Sequence, residues 1–151
     1  MVAEVDDGLK TLRLTLEANN AWDRTLLVVA SDNGGVPAHG SSNYGLRGEK
    51  AQYYEGGVRV PLVVSGGYVN KQARGRRLQS LAHVTDLHAT FLHLAQYQPT
   101  ANDKALDGLN LAPHLFNNAP PPRDEILINM NSAHFGEAGA LIVGDFKYAT
   151  N

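Results

Sequence analysis

The chain has 151 residues, enough for one domain with a core of its own. Thirteen Lys and Arg against fifteen Asp and Glu leave a formal charge of −2, which excludes both a global basic field for nucleic acid and the acidic excess of a disordered chain. No cysteine is present, so a disulfide framework, a thiolate metal site and a cysteine nucleophile are excluded within these residues, and no apolar run approaches the length of a membrane span.

The N-terminal MVAEVDDGLK is acidic and amphipathic, unlike an export signal. From Met1 to Asn19, Val2, Val5, Leu9, Leu12 and Leu16 recur at three- and four-residue steps, the stripe of an amphipathic helix that Asn19-Asn20 end. Asp6 and Asp7 fall on this helix as solvated surface. TLLVVAS, Thr25 to Ser31, is an aliphatic run without alternation and reads as a strand covered on both faces in a parallel sheet. A second strand is expected over Val58 to Gly66, with Pro61 at a bend or edge. Lys71, Arg74, Arg76 and Arg77 form a basic surface connection, read as a solvated loop with an anion-binding role as the alternative. Gln79 to Gln96 has helical periodicity with Ser80 as an N-cap, and its histidines His83, His88 and His93, five apart, do not share a helix face for a metal. Residues 98–123 read as loop-rich, ending in Pro120-Pro121-Pro122. EILINMN (125–131) and GALIVGDFKYAT (139–150) read as strands separated by a glycine-bearing loop, with a hairpin turn at Gly144-Asp145.

The segment SDNGGVPAHGSSNYGLRGEK, Ser31 to Lys50, follows the first strand and places five glycines among polar residues. Asp32 and Asn33 stand at the carboxyl end of that strand, where open α/β sheets hold ligands, and they offer hard oxygen donors suited to Ca²⁺ or Mg²⁺. Gly34-Gly35 then lets the backbone leave at positive φ. Taken alone, Asp-Asn-Gly-Gly reads first as the composition of a turn. Lys50 makes chemical sense near a cation only if an anion such as phosphate or sulfate lies between them. Arg47, Arg59 and His39 either add donors to that anion or pair with Glu49 and Glu55. GLRGEKA lacks the order of a nucleotide P-loop.

TLLVVASDNGG, the segment Asn43-Tyr44-Gly45-Leu46-Arg47-Gly48-Glu49-Lys50 and the run Tyr54-Glu55-Gly56-Gly57-Val58-Arg59-Val60-Pro61 together resemble the sulfatase family, most of all its arylsulfatase B, or N-acetylgalactosamine-4-sulfatase, group. Asp86 and Thr90 resemble the family's D-x-x-P-T helix, with Ala89 in place of proline, and Leu106-Asp107-Gly108 its L-D-G segment. The resemblance implies an α/β fold, part of an alkaline-phosphatase-like sandwich: residues 1–122 as the later part of the catalytic domain, and 123–151 as the start of a small C-terminal region of antiparallel strands. It also implies that Asp32 and Asn33 are ligands of one Ca²⁺, that Lys50 contacts the sulfate ester as a catalytic residue, and that His39 and Arg47 bind substrate. The nucleophile of such an enzyme is a formylglycine hydrate, and its substrate is a sulfated carbohydrate or aryl sulfate ester.

The C/S-x-P-x-R nucleophile motif and the family's paired metal aspartates are absent, so the chain reads as the later part of a sulfatase whose N-terminal half acts as its partner and which is inactive alone. A non-catalytic sulfatase-like binding module is the rival reading. A phosphate-ester hydrolase of the same superfamily is a third, disfavoured because the histidines supply no second metal site. By resemblance the compartment is lysosomal, secreted or periplasmic.

Overall fold

The computed structural model describes residues 2–131 and 138–150, and these divide into two compact units. The first unit comprises Met1–Ser31 and Pro61–Gly75. Its helix α1 spans Val2–Ala18, and the chain leaves it through Asn20, which takes the left-handed conformation at φ 52°. Asp6 and Asp7 lie exposed on α1. A 3₁₀ turn at Trp22–Arg24 leads into β1, Leu27–Ala30. β1 pairs with β2, Leu62–Ser65, in the register Leu27↔Ser65 to Ala30↔Leu62.

This pairing is antiparallel, where a parallel sheet covered on both faces was expected from the aliphatic run. An unbroken aliphatic run signals burial and carries no information on strand direction. In β1 the side chains are only half-buried, and most of β2 is exposed. Pro61 stands one residue before β2, where the ladder needs no N–H from it, and its carbonyl accepts the Ser31 N–H at 3.3 Å. The basic connection is partly engaged: Arg74 Nε donates to Val69 O at 3.0 Å.

The second unit comprises Asp32–Val60 and Arg76–Asn151. It carries the short helix α2 (Glu55–Val58), α3 (Val84–Leu94), α4 (Ala112–Asn117) and a three-stranded antiparallel sheet, β3 (Glu125–Asn131), β4 (Ala138–Val143) and β5 (Phe146–Ala149). The order is β3-β4-β5, with Gly144 and Asp145 turning the second hairpin as expected and Gly144 at φ 54°. The expected loop between β3 and β4 falls on residues 132–137, outside the described residues.

Two helix boundaries differ from expectation. α3 starts at Val84 rather than near Ser80 because His83 and Asp86 form a reciprocal cap: the Thr85 N–H reaches the His83 ring, and the His83 N–H reaches Asp86 Oδ2 at 2.8 Å. Ser80 instead bonds His114 Nε2 at 2.7 Å. α4 falls inside the stretch 98–123 that reads as loop-rich: its six residues are too few to show a helical period, and Pro113 in the first helical turn gives up only an N–H that has no partner there.

The interior of this unit is built on α3, α4 and the sheet, with Ala89, Leu111, Ala112, Ile126 and Ala140 buried. Asp86 and Thr90 are buried among them. Asp86 accepts from Arg123 and from the Leu109 N–H, while Thr90 Oγ1 accepts the Leu111 N–H at 2.9 Å. Gly108 presses on α3 so closely that a Cβ there would lie 2.1 Å from Thr85 O.

Candidate functional site

All five candidate residues, Asp32, Asn33, His39, Arg47 and Lys50, lie in the second unit. The loop carrying them is closed at its base by backbone contacts. Gly34 N–H donates to Gly57 O at 2.8 Å, and a Cβ on Gly34 would stand 1.7 Å from Gly56 O. A Cβ on Gly56 would stand 2.1 Å from Gly48 O, and the Gly56 N–H donates to Arg47 O at 2.7 Å. Three stretches of backbone are thus stacked with no room for side chains. The positive φ expected at Gly34-Gly35 is instead found at Gly40, Gly45 and Gly48, so the first pair serves close approach rather than reversal of the chain.

Asn43 locks the loop from within. Its Oδ1 accepts the Gly35 N–H at 2.8 Å, while its Nδ2 donates to Gly35 O at 2.8 Å and Gly48 O at 3.1 Å. The Lys50 N–H, 3.4 Å from Gly35 O, brings the lysine to the strand tip that carries Asn33. The spacing of the motif gave no sign of this amide's role; only its place inside the quoted segment pointed to it.

The side chains of the site differ in how far they are held. The exposed Asp32 carboxylate accepts the Asn33 N–H at 2.8 Å, and Asn33 Nδ2 donates to Gly34 O at 2.8 Å. The Lys50 side chain is exposed and makes no hydrogen bond or ion pair among the described residues. Arg47 lies over the Tyr54 ring, 4.0 Å from its centroid, and Nη2 donates to Tyr54 Oη at 3.1 Å. His39 ends a separate exposed 3₁₀ turn, Pro37–His39. Arg59 faces Glu55 at 3.7 Å, so of the two pairings weighed for it the surface ion pair is the one formed. Trp22 is the partner of Arg13 in the first unit.

The donor set fits a hard cation as far as it goes. One carboxylate and one amide are oxygen donors of the kind Ca²⁺ takes, but that ion needs about six to eight. Among the described residues no group of three or more His, Asp or Glu is placed to hold a metal.

A strand-tip Asp-Asn pair, a glycine-closed loop returning a lysine to it, and a following helix with a buried Asp-Thr pair define a class. The sulfatase family model matches residues 1–97, more than half of the chain, and the chain belongs to the sulfatase family. It is 32% identical to mouse arylsulfatase J over 137 residues, covering 87% of this chain and 21% of that protein. It is 34% identical to human N-acetylgalactosamine-6-sulfatase over 124 residues, covering 76% of this chain and 22% of that one. The solved structure of Ps i-CgsB in complex with k-i-k-neocarrahexaose superposes with a TM-score of 0.83 at 31% identity, over 100% of this chain and 33% of that one. The chain therefore spans about a fifth of the length of these curated relatives. Its fold is that of sulfatases, the alkaline-phosphatase-like α/β class, here as helices with two small antiparallel sheets.

Proposed function

We propose that this chain forms one wall of a sulfatase active site that hydrolyses sulfate esters on sulfated sugars, in the arylsulfatase B manner. Asp32 and Asn33 supply two oxygen ligands to one Ca²⁺. Lys50 contacts the sulfate, and Arg47 and His39 add donors on the substrate side. The observation that carries this reading is the closure of the loop, which returns Lys50 to the Asp32-Asn33 strand tip through backbone bonds and the Asn43 side-chain amide.

In this reading residues 1–122 belong to the catalytic domain and 123–151 begin the C-terminal region. Bound Ca²⁺ supplies charge stabilisation at the sulfuryl oxygens. The nucleophile, a formylglycine, comes from outside these residues, since the sequence has no Cys and no S-x-P-x-R. The residues present bind and orient: Lys50 offers a mobile point charge, and Arg47 a planar fork preset by Tyr54.

A titration of the ¹⁵N-labelled chain tests the assignment. Ca²⁺ is expected to move the Asp32 and Asn33 amides, weakly because most ligands are missing. Sulfate is expected to move the Lys50 region, and Lys50→Ala to abolish that response. The chain alone is expected to leave an aryl sulfate intact. Turnover by the purified chain overturns its inactivity, and a sulfate response insensitive to Lys50→Ala overturns the site.

A further inference from the structure

Three consecutive residues, Tyr53, Tyr54 and Glu55, are each gripped by a different part of the second unit. Tyr53 Oη accepts from Asn129 Nδ2 at 3.0 Å. Tyr54 holds Arg47 through its ring and its hydroxyl. Glu55 Oε1 accepts from Lys147 Nζ at 2.8 Å, with Arg59 on its other oxygen at 3.7 Å. Asn129 and Lys147 lie 76 and 92 residues further along the chain, on β3 and β5. Tyr54 itself has extended backbone, φ −70° and ψ 163°, so successive side chains here leave the chain in different directions.

We propose that the β3–β5 sheet positions the anion-binding side of the loop, with Lys147, and secondarily Asn129, acting as positioning residues for Arg47. The two outer residues of the triplet are anchored to the sheet, and the middle one is left to hold the guanidinium. Gly56, next in sequence, fixes the Arg47 carbonyl, so both the main chain and the side chain of Arg47 are referred to the same segment.

Two features mark these anchors as more than surface decoration. The Lys147 side chain is 18% exposed against 35% for that of Glu55, so the lysine end of the pair is sheltered from the water that makes rim ion pairs weak. On β3 the register shifts between Leu127 and Asn129, leaving Ile128 without a partner in β4 just before the residue that reaches Tyr53. Bulges of this kind re-aim a side chain.

With Lys147 removed, Glu55 keeps only the longer Arg59 contact. A freed carboxylate then sits beside the residue that presents Arg47, which weakens an anion site in two ways: the platform loosens and a competing negative charge is released. This inference rests on Arg47 and Lys50 being anion contacts.

The test is inorganic sulfate binding to the full chain, with the ¹⁵Nε signal of Arg47 followed in parallel. Lys147→Met is expected to raise the sulfate Kd about fivefold, ~1 kcal/mol, and to shift the Arg47 signal with the thermal midpoint of the second unit little changed. Lys147→Arg is expected to restore both. Asn129→Ala provides a milder version should Lys147→Met fold poorly. An unchanged Kd and an unmoved Arg47 signal in Lys147→Met, or in Asn129→Ala where that variant carries the test, overturn the proposal. If wild type binds no sulfate, the anion reading fails; a shift of the Arg47 signal still supports positioning of the guanidinium, and no shift overturns it.

Discussion

Asp86 has no exposed surface, yet its surroundings keep it ionised. Burial alone raises the pKa of such a carboxyl, but the Arg123 guanidinium and the N–H groups of Leu109 and His83 outweigh it and hold the group below its ordinary 3.8. One carboxylate thereby joins the cap of α3, the Leu109 segment and the approach to β3. Asp86→Asn keeps the shape but strands the Arg123 charge, which is only 13% exposed, and it is expected to cost about 3 kcal/mol at neutral pH. Because the folded value is depressed, this contribution is complete above 3.8 and is lost as pH falls through the lower folded value. The stability gap between wild type and Asp86→Asn should therefore narrow below that pH in urea titrations. A gap constant down to strong acid would show that the ion pair is not its source. Asp103, held low by Thr100 and Tyr97, remains in both proteins and keeps an acid slope in each.

At the scale of elements, glycine has opposite meanings in the loop and in α1. Gly34 lies against the first turn of α2, where a methyl would meet the Gly56 carbonyl at 1.7 Å, whereas Gly8 has nothing within 4 Å of its Cβ position. Gly34→Ala should force the backbone layers apart and destabilise the second unit by about 2–3 kcal/mol or more. Gly8→Ala should stabilise α1 by about 1 kcal/mol through helix propensity alone. Thermal melts of the two variants with opposite shifts would bear this out, and a neutral Gly34→Ala would mean the loop is not closed as described. The same contrast explains what was legible beforehand. Periodicity marked α1, most of α3 and the terminal strands, because their apolar residues alternate or recur along the element itself. It missed the onset of α3, which is set by a reciprocal His83-Asp86 cap, and α4, whose six residues are too few to show a period. The direction of β1 against β2 has no local signature. At the site, the Asp32-Asn33 and Lys50 positions were visible as motif residues, but Asn43 as the internal clamp and Tyr54 as the seat of Arg47 depend on contacts across the loop that spacing does not encode.

Across the whole molecule, the two units differ in how much they hide. The first contains α1, which has no buried residue, and a sheet of only two strands, with Val2, Val5, Leu14 and Val63 all more than half exposed. A two-stranded sheet is marginal in water, and a helix that buries nothing has only propensity and side-chain pairs such as Arg13–Glu17 to support it. Among the described residues, the second unit holds the buried hydrophobic side chains apart from Val69, together with the Asp86 and Thr90 network. Opening should therefore be sub-global, with the first unit lost at lower free energy than the second. In native-state hydrogen exchange of this chain, the amides of α1, β1 and β2 should exchange much faster than those of α3, β3 and β4, and the order should persist in low denaturant. Equal protection in the two units would require stabilisation of α1 that its exposed surface does not supply. Because Asp32 is the first residue of the more stable unit, the loop from Asp32 to Lys50 should retain its closed backbone bonds while β1 frays. Slow exchange at the Gly34 and Gly56 N–H groups in that same experiment is the sign that the site survives the loosening of the strand that leads into it.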